Sequence, residues 1–208
     1  MNTSGVGSSL PIDISQAIAS GDIQTLIQMV QSERVKLLDQ QLVDQVKAVQ
    51  ARNDQIAKLN DVLSKLTAFQ GGIKGTDAGS KIKDWNNDKI KQYELPLNDA
   101  IIAAGIEDLG FPSRTGQRTR LPGEENVPGG SGGPWVTGKQ VVGGWTTKGE
   151  IDAAITKVKG MIDAQSNNQQ MDMLRLQSLN NKKNESIEIL TNTQKKHTDS
   201  TSSIIRNI

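Results

Sequence analysis

A mainly α fold, built as a long antiparallel coiled-coil helical hairpin around a Gly/Pro-rich inserted subdomain, follows from three features of these 208 residues. Two stretches near the ends lack proline and almost lack glycine. Their apolar residues recur at steps of three and four. The stretch between them changes composition abruptly toward Gly and Pro. Only 35% of the residues are apolar and 3% aromatic, below the roughly 45–50% apolar share of an ordinary globular domain. So few apolar residues build a stable fold when they lie in narrow helical seams rather than in a thick core.

The first arm is expected over residues 22–70, stopped by Gly71-Gly72, since glycine ends a helix where the backbone must leave αR space. Its register places Val35, Leu42, Val49, Ile56 and Leu63 on one heptad position. Leu38, Gln45, Arg52, Leu59 and Leu66 fall on the partner position. Eight of these ten are apolar, which makes a coiled-coil seam. Gln45 and Arg52 interrupt it, either to fix register and partner choice or as a wet segment.

The second arm is expected over residues 150–208, entered through Thr147-Lys148-Gly149-Glu150, which has the T-x-x-E form of a capping box. Ile151, Ile155, Val158 and Ile162 form one stripe. Met173, Leu176, Ile187, Leu190, Ile204 and Ile208 form another. The eleven-residue step from Ile162 to Met173 predicts a stutter that relaxes the supercoil. Asn180, Lys183, Gln194 and His197 interrupt the second stripe, and a helix this polar gains little from a single partner. At 1.5 Å per residue the arms would span roughly 70 and 90 Å. Lone helices of that length and polarity are marginal, so the two are expected to pair.

Between the arms, residues 71–149 form the inserted subdomain. Ile82, Trp85, Ile90 and Tyr93 predict a short amphipathic helix, and Leu97 to Ala104, ended by Gly105, predicts another. From Gly110 to Gly149 lie eleven glycines and four of the six prolines, the mark of a loop-rich insertion. Trp135-Val136-Thr137 and Gln140-Val141-Val142 flank Gly138-Lys139 as a possible small β-hairpin. Trp135 and Trp145 are expected to anchor the insertion. Arg114, Arg118, Arg120 and Ser131, with Trp135, are expected on its exposed side. Residues 1–21 are Ser/Gly-rich at the start and are expected to be flexible.

Composition narrows the function. The formal net charge of +1 gives no electrostatic footprint for nucleic acid. With no cysteine and one histidine, thiol catalysis and standard zinc sites are excluded. Gly129 to Gly133 fits G-x-S-x-G and resembles a serine-protease nucleophile segment. Ser131 nevertheless lacks a base, because the single histidine, His197, lies far along the second arm. Asp84, Asn86 and Asp88 do not have calcium-loop spacing. No catalytic, metal or cofactor site is expected. Met1 to Leu10 lacks the pattern of a secretory signal peptide, and no stretch approaches a membrane span.

The run from Ser166 to Ile208, SNNQQMDMLRLQSLNNKKNESIEILTNTQKKHTDSTSSIIRNI, resembles the C-terminal helix of type III secretion tip-filament proteins. These are the EspA-like hydrophilic translocators, and the match in size and style is to the Bordetella type. Gln31 to Leu66, QSERVKLLDQQLVDQVKAVQARNDQIAKLNDVLSKL, resembles their N-terminal coiled-coil helix. The resemblance implies export through a needle apparatus guided by a signal in residues 1–21, and a place on the bacterial surface at the needle tip. It further implies self-assembly into a filament, with the needle subunit, hydrophobic translocators and a cytoplasmic export chaperone as partners. Ile204, Ile205 and Ile208 would then pack between subunits. Two other readings are a tip cap of a few copies and a cytoplasmic coiled-coil adaptor or chaperone.

Overall fold

The computed structural model describes residues 23–112, 117–121, 123–124, 135–136 and 139–206. It is mainly helical, and its two long helices pack against each other. Helix α1 runs Ile23–Gly72 and helix α4 runs Lys148–Arg206. Between them lie α2 (Asn87–Lys89), a π-helical turn (Ile90–Glu94) and α3 (Leu95–Ala103). The two-residue strands β1 (Gln117–Arg118) and β2 (Trp135–Val136) follow.

The ends of these helices follow from local chemistry. Thr147 Oγ1 accepts from the Glu150 amide at 3.3 Å, and Glu150 Oε2 accepts from the Thr147 amide at 2.9 Å. This is the reciprocal capping box read from T-x-x-E. The next two amides of α4 donate to the loop carbonyls of Ser80 and Ala78, both at 2.8 Å, so the orphan donors of the helix start are used. At the far end of α1 a Cβ on Gly72 would stand 2.9 Å from the Tyr93 ring; glycine there permits the close approach.

The amphipathic helix expected from Ile82 onward starts later. Asp84 sits at φ 53°, outside helical space, and Asn86 Oδ1 caps the chain by accepting from the Lys89 amide at 3.0 Å. Ile82 and Trp85 therefore precede the helix. Ahead of Pro96 the backbone widens into the π-helical turn, where the Leu95 amide reaches back to the Ile90 carbonyl. Proline has no amide to donate in the α pattern, and a π-bulge is one way a helix accommodates such a break.

Contacts divide the chain into two compact units: Met1–Lys47 with Asp172–Ile208, here the terminal unit, and Ala48–Met171, here the core unit. The division falls inside both long helices. The hydrophobic core lies in the core unit. It joins Leu59, Val62, Leu66 and Phe69 of α1 to Leu97 and Ile101 of α3 and to Ile151, Ala154 and Val158 of α4. Phe69 meets the Trp85 ring at 6.0 Å and the edge of Tyr93 at 5.8 Å between centroids, the tilted arrangements aromatic pairs favour. Buried Asn98 ties the insertion down: its side chain donates to the Val142 carbonyl and accepts from the Val142 amide.

The small sheet has a different partner from the one the sequence suggested. Trp135–Val136 pairs antiparallel with Gln117–Arg118, while Val141 and Val142 are buried without strand pairing. Two buried apolar residues bracketed by the Asn98 clamp are held by packing and side-chain bonds instead of by a ladder. Thr137 and Gly138 lie outside the described residues.

Candidate assembly surface

The seam of the core unit is apolar through its middle and carries polar pairs toward both ends. The ten heptad positions of α1 read from the sequence are all buried or half-buried; Leu38, Gln45, Leu59 and Leu66 are the most enclosed. Within the core unit, Arg52 donates to Gln165 Oε1 at 2.7 Å, Gln169 donates to Asn53, and Gln70 donates to Asp152. From Asn53 to Gln70 is 17 residues forward, and from Gln169 to Asp152 is 17 residues back. That equality is the antiparallel register of the two helices.

On α4 the inward positions repeat strictly every seven residues. Gln165, Asp172, Leu179, Ser186 and Thr193 form one set, and Ile162, Gln169, Leu176, Lys183 and Leu190 the other; each is buried or half-buried. The expected stutter is therefore absent. Met173 is 47% exposed and Ile187 39%, so the stripe that produced the eleven-residue step lies beside the seam rather than in it. Gln169 and Asp172 occupy the positions that apolar spacing could not locate.

The terminal unit has a mixed seam, in which half-buried Val35, Leu42, Leu176, Leu179 and Leu190 alternate with polar side chains. Among its described residues, the buried side chains are Leu38, Gln45, Asp172 and Ser186. Gln45 donates to Asp172 Oδ1 at 3.0 Å. Lys183 pairs with Asp39. Ser186 returns its hydroxyl to the Lys182 carbonyl at 2.8 Å. Gln31 carries a buried Oε1 with no hydrogen-bond partner, a costly feature. Meanwhile nine of the eleven large apolar side chains that stand exposed among the described residues belong to this unit. They include Ile23, Val30, Leu37, Val43 and Leu174, which the apolar stripes read from the sequence did not contain. The signal was present: Ile23, Val30 and Leu37 are spaced by seven.

The remaining predicted residues are placed as follows. Leu176 and Leu190 are half-buried. Ile204 and Ile205 lie in the last turn of α4, which ends at Arg206. Ile208, Arg114, Ser131 and residues 1–21 lie outside the described residues. Arg118 and Trp135 belong to the paired backbone of β1 and β2.

Arg120 corrects an expectation. The loop-rich composition puts it on the exposed side of the insertion, yet its side chain is only 13% exposed and its Nε donates to Glu94 Oε1 at 2.9 Å. A second nitrogen reaches the Glu124 carbonyl at 3.2 Å, and Glu124 Oε2 accepts from the Leu121 amide. Glu94 is the last residue of the π-helical turn and is itself buried. Burial pushes its carboxyl above the ordinary value, and the Arg120 charge and hydrogen bond pull it back only in part. The pair latches residues 119–121 and 123–124 onto the helix.

A shallow trough of about 570 Å³ lies between α1 and α3, floored by Leu95, Pro96 and Ala100 and rimmed by Asp61, Lys65 and Asp99. Burial raises the Asp99 carboxyl, opposed by Lys65. Nothing there brings a nucleophile and a base together. Among the described residues no group of three or more His, Cys, Asp or Glu is placed to hold a metal ion, and no helix is long and apolar enough to cross a membrane. Comparison of the chain with models of known families, with curated proteins and with solved structures finds no match.

Proposed function

We propose that this chain is a non-enzymatic structural subunit of a type III secretion needle tip, which self-assembles into a filament linking the needle to a pore in the host membrane. The observation that carries the reading is the terminal unit: its seam encloses Gln45, Asp172 and Ser186 beside Leu38, while nine large apolar side chains stand exposed among its described residues. Exposed apolar side chains at heptad spacing, such as Ile23, Val30 and Leu37, suit a helix face that a further helix covers. Two long paired helices and a chain without cysteine suit export through a narrow conduit followed by refolding outside, since helical pairs rich in local contacts fold fast. The resemblance of Gln31–Leu66 and Ser166–Ile208 to the EspA-like translocators supplies the pathway and the partners: the needle subunit, hydrophobic translocators and an export chaperone.

Two tests bear on it. Export places the protein in culture supernatant only when a needle-type apparatus is intact; secretion without that apparatus would sink the pathway. The double substitution Ile205→Asp plus Ile208→Asp should abolish polymers while circular dichroism stays close to wild type. Filaments of normal length from that variant would overturn the assignment of the C-terminal isoleucines to the subunit interface.

A further inference from the structure

We draw no further inference here: the strongest candidate, the shallow trough between α1 and α3 floored by Leu95, Pro96 and Ala100, has a rim of Asp61, Lys65 and Asp99 that mixes both charges, and nothing in the structure shows what covers it.

Discussion

At the scale of single residues, Glu94 and Arg120 form an ion pair largely shut away from water. Both groups are almost fully enclosed, and removing one partner of such a pair leaves an uncompensated buried charge. Arg120→Met is expected to destabilise the core unit by about 3–5 kcal/mol in urea unfolding, whereas adding Glu94→Gln should recover most of that loss. The pair also has a pH signature. The folded-state value of Glu94 lies above the ordinary glutamate value of 4.5, so the folded state takes up a proton more readily than the unfolded one. Its contribution to stability is greatest below the unfolded value and is lost as pH rises through the folded one. Measured against Glu94→Gln, the wild type should therefore gain relative stability as pH falls from neutrality toward 4.5. A difference that is flat in pH would show that Glu94 titrates alike in both states. None of this was legible in the sequence: Glu94 and Arg120 are 26 residues apart, and arginine among Gly, Pro and Thr has the look of a solvated loop residue. Three-dimensional closure of the insertion, not local pattern, buries it.

At the scale of elements, the two halves of each long helix are held by different means. In the core unit α1 and α4 pack through Leu59, Val62, Leu66, Ile151 and Val158 into a shared core; in the terminal unit Leu38 is the one buried apolar side chain among the described residues. Leu→Ala changes cost about 2–5 kcal/mol according to how fully the site encloses the deleted methyls. Leu66→Ala, at a position with no exposure, is expected near the top of that range. Leu38→Ala belongs near the bottom. Amide hydrogen exchange separates the two, because it reports opening region by region: Leu66→Ala should speed exchange throughout residues 48–72, and Leu38→Ala only in residues 31–45. The first helix was legible because its inward positions are mostly Leu, Ile and Val at steps of seven. The second was legible in part: Ile151, Ile155, Val158, Ile162, Leu176 and Leu190 lie inward as read, but Gln165, Gln169, Asp172, Lys183 and Ser186 face inward too, while Met173 and Ile187 face out. Where polar residues line a seam through hydrogen bonds, hydropathy no longer distinguishes inside from outside, and an apparent stutter results. The Thr147–Glu150 cap was legible because its chemistry is entirely local.

At the scale of the molecule, the chain combines one well-enclosed unit with one whose seam mixes Val35, Leu38, Leu42, Leu176 and Leu190 with Gln45, Asp172 and Ser186, and which leaves nine large apolar side chains exposed among the described residues. A hairpin of that kind gains little from its own seam, and its exposed stripes gain most when another copy covers them. The proposed reading of the terminal unit as an assembly surface rests on these exposed side chains, Ile23, Val30 and Leu37 among them. The measurement that tests this most directly is electron microscopy of the purified full-length protein, in negative stain, across a range of concentrations. The account predicts polymers of uniform width that lengthen as concentration rises. Monodisperse single copies at every concentration, with the apolar stripes still bare, would contradict it.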